Sequence, residues 1–272
     1  MIRLSAEHDA AVTNRAILTG SAYNNEHALA ARQSLYRWQQ PRYDLPGLVV
    51  DRLGDVRGTV VDVGCGNGKF IRRLNQDRPD LRVLGLDVSP GILAGVPRPV
   101  GVADAERLPL RSGSVDAVLA LHMLYHAADI PQAIHELSRV VTGRGVLIAS
   151  TNSEYDKAEL DDLWQRAAGD VLGRERGPAR ISLSARFSLE KAPALLGEAF
   201  STLETIKLPG TITVRTPEPV IAHMQSYRAW ADQHEVPFEA TIERAHAILV
   251  RHIDRHGAFE INALGGILVC SR

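Results

Sequence analysis

The chain has 272 residues, 45% of them hydrophobic, and a formal net charge of −1 at pH 7. This length and composition predict one large α/β core with a modest cap, and the lack of a basic run interleaved with aromatics argues against nucleic acid as a partner. Two cysteines without metal-ligand spacing indicate a reducing compartment. Because neither a signal-peptide pattern nor an apolar run of membrane length occurs, we expect a cytoplasmic protein that does not bind a membrane.

Two helical stretches are predicted before the core, over residues 5–18 and 25–39, and Pro41 interrupts the chain after the second. The second stretch has the pattern of an amphipathic helix that packs on the core, with side chains such as Leu35 and Tyr36 facing inward.

The most informative segment joins a buried strand to a helix through a loop with three glycines. Residues 59–63 form a β-branched run suited to a central parallel strand, and Gly64, Gly66 and Gly68 precede a helix over 69–75. Glycines permit positive φ and close ligand approach, and a helix start exposes unpaired N–H groups. The spacing is not the Gly-x-Gly-x-x-Gly of dinucleotide sites. The loop indicates a ligand-binding turn, with a simple tight turn as the alternative.

Acidic residues end the next two predicted strands. Strand 82–86 is followed by Asp87, and an acid at this place in a βαβ unit can accept both hydroxyls of a ribose. The alternative role for Asp87 is that of a helix cap. Strand 100–103 runs into Asp104 and Ala105, where a carboxylate and a backbone amide can read the amino and ring-nitrogen edge of an adenine.

A fourth strand, over 115–120, leads into a short segment with two histidines and a tyrosine. These are His122, Tyr125 and His126, and Asp129 then caps a helix that runs through residue 140. The two histidines are four residues apart, so they share a face if the segment is helical.

The rest of the chain predicts the end of the sheet with helical insertions, and Thr216 is the expected N-cap of one insertion helix. The elements are strands at 145–150, 202–208 and 266–271, helices at 154–172, 188–200, 216–233 and 237–256, and a charged, glycine-bearing loop at 173–180.

Five motifs in unbroken order between Val60 and Ser150 resemble those of the class I S-adenosylmethionine-dependent methyltransferases. The similarity is greatest to the small-molecule branch that includes the ubiquinone and menaquinone biosynthesis type. The motifs are Val-Asp-Val-Gly-Cys-Gly-Asn-Gly, Leu-Gly-Leu-Asp-Val-Ser-Pro, Ala-Asp-Ala-Glu-Arg-Leu-Pro-Leu, Ser-Val-Asp-Ala-Val-Leu-Ala-Leu-His-Met-Leu-Tyr-His and Glu-Leu-Ser-Arg-Val-Val-Thr-Gly-Arg-Gly-Val-Leu-Ile.

This resemblance implies an α/β fold with a Rossmann-like seven-stranded methyltransferase sheet, mostly parallel with the last strand antiparallel, and helical lid insertions. The expected divisions are an N-terminal helical lid (1–45), an S-adenosylmethionine-binding core (46–150), a helical insertion (151–187), and the end of the core (188–272) with a helical cap insertion at about 216–256.

The resemblance also implies S-adenosyl-L-methionine as the cofactor. A segment such as the N-terminal one lies over the cofactor in this family, and an aromatic or arginine from it often reaches the methionine carboxylate; Tyr23 and Arg32 are the residues we favour for this. The predicted cofactor-binding residues are Tyr23, Arg32, Asp62, Gly64, Cys65, Gly66, Asp87, Val88, Asp104, Ala105 and Leu121.

The predicted catalytic residues are His122, Tyr125 and His126, because this segment passes beneath the sulfonium methyl in the resembling enzymes. Methyl transfer is an in-line displacement that needs alignment, exclusion of water and a base near pH 7, and histidine is the natural base. The alternative is that either histidine packs at the floor of the site without moving a proton, and Tyr125 is a candidate for orienting the substrate.

Four aromatic or histidine side chains of the lid are candidates to line the acceptor pocket, with lid packing as the alternative for each. They are Trp164, His223, Tyr227 and Trp230. A metal site formed by His223 with His246, His252 and His256 is disfavoured by their spacing, so no metal is predicted.

The favoured function is transfer of the methyl group of S-adenosylmethionine to an oxygen, nitrogen or carbon of a small, partly apolar acceptor in metabolite biosynthesis. The main alternative is a protein of the same fold that binds S-adenosylmethionine or S-adenosylhomocysteine as a regulator or catalyses another reaction. A nicotinamide-dependent oxidoreductase is disfavoured by the glycine spacing and the base reader after the third strand. A homodimer is one assembly that we consider.

Overall fold

The structure is a computed structural model that describes residues 6–233 and 236–272. It contains one sheet of eight strands within these residues, with the order β1-β7-β8-β6-β5-β2-β3-β4. The strands are β1 Gln39–Gln40, β2 Gly58–Val63, β3 Leu81–Asp87, β4 Val100–Val102, β5 Val115–Leu121, β6 Val141–Asn152, β7 Thr202–Val214 and β8 Phe259–Ser271.

Helices cover both faces of the sheet and form a cap. The α-helices are α1 Ala6–Thr13, α2 Arg15–Ile17, α3 His27–Ser34, α4 Leu45–Leu53, α5 Lys69–Asp77, α6 Ile130–Val140, α7 Ala158–Leu172, α8 Ala192–Gly197, α9 Glu218–Gln225 and α10 Phe238–His256. Short 3₁₀ turns lie at Leu35–Trp38, Ile92–Gly95, Leu124–His126, Leu183–Arg186 and Arg228–Gln233, and a π-helical turn lies at Leu18–Ala22.

The strand directions confirm the predicted sheet. Strands β4, β3, β2, β5 and β6 pair in parallel, and β8 pairs antiparallel with both β6 and β7. The two-residue β1, which the sequence did not predict, pairs antiparallel with β7 and adds an eighth strand at the edge. The carboxyl ends of β2, β3, β4 and β5 therefore meet at one edge of the sheet, where ligands bind in open α/β folds.

Side chains of successive residues in the central strands point to opposite faces of the sheet and contribute to two hydrophobic cores, one on each face. Val61 and Val118 belong to a buried cluster with Leu137 of α6, whereas Val60 belongs to a cluster with Ile71 of α5. Successive residues of a strand point to opposite faces, so a short β-branched run supplies both cores at once.

The cap is carried by the long β7–β8 ribbon. These strands stay paired from Thr202↔Ser271 to Val214↔Phe259, well beyond the stretch in which β8 also pairs with β6. Helices α7, α9 and α10 pack on this extension through a third buried cluster that includes Trp164 and Leu249. Among the described residues, no helix is both long and apolar enough to cross a bilayer.

Several predicted boundaries were wrong. Helix α7 begins at Ala158, not at residue 154, because the chain turns before it and Lys157 has a left-handed φ of 61°. The helix predicted for 216–233 is split into α9 and a 3₁₀ turn, and its N-cap is Pro217, which has no capping side chain, instead of Thr216. The first helix was predicted from residue 5, which lies outside the described residues, as do residues 1–4 of the expected lid.

Candidate active site

The glycine loop forms a backbone cradle at the end of β2. Gly64, Gly66 and Gly68 have φ values of 69°, 53° and 74°. A Cβ atom on Gly64 would lie 2.7 Å from the Cβ of Met123, and one on Gly66 would lie 3.1 Å from a methyl of Leu29. Helix α5 begins after Gly68, which has no capping side chain, and the amide of Lys69 makes only a long hydrogen bond of 3.4 Å to the Asn67 side chain. The loop fits the close approach that a nucleoside cofactor requires.

Asp87 connects this loop to the end of β3. One carboxylate oxygen accepts the Gly66 amide at 2.9 Å and the other accepts the Ser89 amide at 2.9 Å. The Ser89 bond is the local turn contact that the capping interpretation expected, and the Gly66 bond is a second contact across the strand ends. Burial raises the pKa of Asp87 despite these backbone donors. The carboxylate therefore lies beside the cradle, where it can accept ribose hydroxyls.

Asp62 is a buried carboxyl without a partner. Its side chain is 1% exposed, and neither carboxyl oxygen has a hydrogen-bond partner among the described residues. Burial, together with the charge of Asp87, raises its pKa to about 8. A buried acid in this state is stabilised by a cation with N–H donors, and a primary ammonium such as that of a methionine group fits the requirement.

The remaining predicted cofactor residues lie at the same edge. Val88 follows β3 and Leu121 is the last residue of β5, while Asp104 and the buried Ala105 follow β4. Asp104 accepts hydrogen bonds from the Arg15 side chain at 2.7 Å and from the Glu106 amide at 3.1 Å. The structure thus brings four strand ends together, as the sequence predicted.

Cys65 lies in the cradle as a buried thiol. Burial and the charges of Asp62 and Asp87 raise its pKa well above the ordinary value of 9.0. A thiol with a raised pKa is a poor nucleophile, so Cys65 serves the loop by its small size.

His122 lies at the carboxyl end of β5 in a left-handed conformation, with φ of 54°. Its amide donates to the Ser150 carbonyl at 3.0 Å, and only Leu124–His126 then form a 3₁₀ turn. The shared helical face considered for His122 and His126 is therefore wrong, because the left-handed residue and the turn rotate the two side chains apart. Burial, with a smaller contribution from Lys157, lowers the pKa of His122 to about 4, so its ring is neutral at pH 7.

His126 has both ring nitrogens occupied. Nδ1 lies 2.9 Å from the Val12 carbonyl oxygen, and since a carbonyl only accepts, Nδ1 carries the proton. Nε2 then accepts the Tyr23 hydroxyl at 2.8 Å. Burial lowers the pKa of His126 to about 4, and Tyr125 packs edge-on against its ring at 4.7 Å. His126 can exchange a proton with a substrate only through Tyr23.

Arg32 lies buried in a cage of aromatic rings. Its guanidinium carbon is 4.9 Å from the ring centre of Tyr23 and 5.7 Å from those of Tyr227 and Trp230. Nη1 donates to the Ser226 carbonyl at 3.2 Å, and Nη2 has no partner among the described residues. The cage desolvates the cation and leaves one donor available for a carboxylate.

Three of the four acceptor-pocket candidates lie together beside Arg32. His223 and Tyr227 have ring centres 5.6 Å apart, and Tyr227 lies 6.0 Å from Trp230. Trp164 lies elsewhere, packed against Phe238 at 5.7 Å within the cap cluster. For Trp164 the geometry favours the packing interpretation.

Two cations that the sequence did not single out complete this region. Lys157 donates to the Tyr36 hydroxyl at 2.7 Å and forms an ion pair with Asp156. Burial alone lowers the pKa of Lys157, but Asp156 and Tyr36 outweigh it and raise the pKa above its usual 10.5. Arg180 is the second cation and is buried against Tyr227 at 4.9 Å. No motif marks either cation, because an isolated lysine or arginine in a charged segment carries no spacing signal.

The described part of the chain contains no group of three metal-ligating side chains. The ring centres of His252 and His256, on α10, lie 4.4 Å apart with the ring planes tilted by 33°.

Comparison of sequences identifies the central region. The family described as "Methyltransferase domain" matches residues 61–149. The malonyl-[acyl-carrier protein] O-methyltransferase of Serratia marcescens is 33% identical over 117 residues, which are 41% of this chain and 45% of that protein. The chain thus spans less than half the length of this curated relative.

Comparison of structures agrees on the fold. A protein of Anabaena variabilis described as a methyltransferase from an antibiotic biosynthesis pathway superposes with a TM-score of 0.62 and 18% identity, over 84% of this chain and 96% of that one. Phosphoethanolamine N-methyltransferase 2 of Haemonchus contortus, solved with S-adenosylhomocysteine, has a TM-score of 0.55 and 15% identity, over 94% of this chain and 59% of that one.

Asp62→Asn is expected to stabilise the protein without cofactor and to weaken S-adenosylmethionine binding. The folded-state pKa of Asp62, about 8, exceeds the ordinary 3.8, so ionisation destabilises the fold progressively as pH rises between these values. Removing the charge should add about 1–3 kcal/mol of unfolding free energy at pH 8. Denaturant titrations at pH 5 and 8 measure this, and calorimetry gives the affinity.

The exposed Asp55→Asn is the matched control and should change neither quantity. An Asp62→Asn protein less stable than wild type at pH 8, or with full cofactor affinity, would contradict the ammonium assignment.

Asp87→Ala is expected to weaken S-adenosylmethionine binding by about 1–3 kcal/mol, because it removes the predicted ribose acceptor and the bonds that hold Gly66 and Ser89. Isothermal titration calorimetry measures the change. Asp80→Ala is the control, because Asp80 is exposed and directly precedes β3, at the end of that strand opposite to Asp87. Unchanged affinity in Asp87→Ala would remove the ribose assignment.

Proposed function

We propose that the chain is a class I S-adenosylmethionine-dependent methyltransferase that transfers a methyl group to an oxygen, nitrogen or carbon atom of a small-molecule acceptor in metabolite biosynthesis. Its cofactor is S-adenosylmethionine, which supplies a methyl carbon bound to a positively charged sulfur. An oxygen nucleophile is favoured by the O-methyltransferase name of the Serratia relative.

In this proposal the cofactor edge is shared between backbone and acids. The Gly64–Gly68 backbone and the start of α5 hold the central part of the cofactor, Asp87 holds the ribose, and the Asp104–Ala105 pair reads the base. Asp62 receives the ammonium group. Support comes from the positive φ values of the loop and the two unpaired carboxyl oxygens of Asp62.

Arg32 and Tyr23 close the site at the methionine carboxylate. The unpaired Nη2 of Arg32 supports this role, since Arg32 has no carboxylate partner among the described residues. Tyr23 positions this arginine through its ring and is itself fixed by the Ser89 hydroxyl, which donates to the Tyr23 carbonyl at 2.8 Å.

The observation that carries the proposal is the contact of the segment after β5, which contains His122 and Met123, with the glycine loop. Met123, the next residue, occupies the space that a Gly64 side chain would need, so the end of β5 lies directly on the loop. His122 is neutral at pH 7 because burial lowers its pKa to about 4, so its ring can accept a proton from the acceptor group, as a weaker base than an ordinary histidine. His126 fixes the N-terminal segment and Tyr23 through its two hydrogen bonds.

The region is also built to exclude water. Tyr125, Tyr227 and Trp230 are all buried, and a dry site strengthens the alignment of nucleophile and methyl carbon. The cytoplasmic location and the homodimer stay predictions.

The test of the proposed function has two stages. Calorimetry with S-adenosylmethionine and S-adenosylhomocysteine measures cofactor binding, and incubation of a metabolite extract with methyl-deuterated S-adenosylmethionine, followed by mass spectrometry, detects labelled products. Binding with labelled product supports the proposal. Binding without any product favours the alternative of a regulatory binding protein, and absence of binding overturns both.

His122→Asn should lower turnover by about 10²–10⁴-fold with cofactor affinity unchanged, because the base is lost. Asparagine tolerates the left-handed conformation at φ of 54°, so the backbone should be retained. The exposed His246→Asn is the control. Turnover of the wild type should hold from pH 8 down to pH 5, since the pKa of His122 is about 4 and its neutral form persists above that value.

Normal turnover in His122→Asn would end the assignment of the base. A fall in wild-type turnover centred near pH 6.5 that disappears in His122→Asn would contradict the lowered pKa.

A further inference from the structure

Arg180 has a donor that the protein does not use. It lies between α7 and the 3₁₀ turn at Leu183–Arg186 and is 8% exposed. Its Nε and Nη2 both contact one oxygen of Asp161 at 2.9 Å, and the Tyr227 side chain interacts with the guanidinium, whereas Nη1 is buried without a hydrogen bond of normal geometry among the described residues. A buried guanidinium N–H without a partner is costly, and a ligand oxygen would relieve that cost.

His223 is a second buried polar side chain nearby. It is 4% exposed and interacts with the Arg32 backbone, but in the described chain neither ring nitrogen makes a hydrogen bond of normal geometry. Burial and the charges of Lys157, Arg180 and Arg32 lower its pKa well below 6.5, so the ring is neutral and carries one N–H and one lone pair.

Arg180 and His223 both lie close to the ring of Tyr227. The Arg180 guanidinium carbon lies 4.9 Å from the Tyr227 ring centre, and the His223 ring lies 5.6 Å from it. Arg32 approaches the same ring at 5.7 Å. One aromatic ring thus separates the arginine that faces Tyr23 and the cofactor edge from the arginine that is anchored to the cap.

The charges around this ring do not cancel. Arg180 is paired with Asp161 and Lys157 with Asp156, but Arg32 has no acidic partner in the described chain. The Asp161 carboxylate is itself 39% exposed, so solvent weakens its hold on Arg180. With Arg32 assigned to the methionine carboxylate, the cation left for a second anion is Arg180, whose Nη1 makes no hydrogen bond of normal geometry and whose partner Asp161 is exposed to solvent.

We propose that the acceptor is a carboxylate with an aromatic or apolar body, whose carboxylate is anchored by Arg180 and His223. This inference rests on the proposed function and names the acceptor class of the same site. The carboxylate is an anchor, and the nucleophilic atom of the acceptor lies toward His122. The aromatic side chains Tyr227 and Trp230 provide the surface for the apolar body.

The acceptor carboxylate is distinct from the methionine carboxylate assigned to Arg32. Arg32 contacts Tyr23, whose carbonyl is bonded to Ser89 beside Asp87, whereas Arg180 is tied to α7 through Asp161. Two cations on two elements serve two anions.

The experiment uses matched pairs of probes on the full chain saturated with S-adenosylhomocysteine. The pairs are phenylacetate with phenylacetamide, benzoate with benzamide, and hexanoate with hexanamide, which differ in charge and little in shape. Ligand-observed NMR titrations give their dissociation constants. We expect the carboxylate of at least one pair to bind about tenfold or more tightly than its amide.

Arg180→Gln should abolish this preference and leave amide binding unchanged. Arg176→Gln is the matched control, because Arg176 is an exposed arginine of the same loop that pairs with Asp162. Asp161→Asn removes the ion pair but keeps the guanidinium, so the preference should be retained or increased. A purely structural Arg180 predicts instead that Arg180→Gln and Asp161→Asn lose stability alike and leave the preference unchanged.

Calorimetry of S-adenosylhomocysteine binding on the same samples distinguishes a failure of the proposed function from a failure of the carboxylate anchor. If wild type does not bind it, the proposed function fails. If it binds and no carboxylate is preferred to its amide, or if Arg180→Gln keeps the preference, the carboxylate anchor is overturned while the proposed function stands.

Discussion

Tyr23 is the side chain on which the assembled site depends. Its hydroxyl donates to Nε2 of His126, its carbonyl accepts the Ser89 hydroxyl, and its ring lies under the Arg32 guanidinium. One residue therefore ties the N-terminal segment to the ends of β3 and β5, and Trp230, 6.5 Å from its ring, extends the contact to the cap. Hydrogen bonds in so buried an environment reinforce one another, and losing one leaves a costly unpaired group.

The same burial leaves polar groups that the fold does not satisfy. Asp62, Arg32, Arg180 and His223 each keep at least one unpartnered polar atom within the described residues. Uncompensated buried charge destabilises a fold, and strained backbone such as the left-handed His122 adds to that cost. Such features persist at functional sites because a ligand supplies the missing partners, so ligand binding and stability are linked in this protein.

The elements that follow from local pattern were predictable. The β-branched run before Gly64 and the mainly apolar run before Asp87 predicted central strands, because strands that are largely buried on both faces consist mostly of apolar residues. That the acids and glycines at the strand ends lie together could be predicted from the rule that the carboxyl ends of parallel strands meet at one edge of the sheet. His122 and His126 show the limit, since their four-residue spacing suggested a shared face that a single left-handed residue abolishes.

The sequence by itself determined the strand, glycine loop and helix of the cradle and the positions of the acidic strand ends, because each rests on residues close in the chain. The mostly parallel sheet and the cofactor followed from the resemblance of its motifs to a known family. Only the tertiary structure decided that Arg180, Tyr227 and Arg32 meet, that His126 is occupied by Val12 and Tyr23, and that Trp164 belongs to the cap. These contacts join residues up to about two hundred positions apart, and no periodicity records them. The physical reason is that the packing of side chains from separate elements determines which buried charges lie near one another. The pattern of residues along the chain does not contain this information.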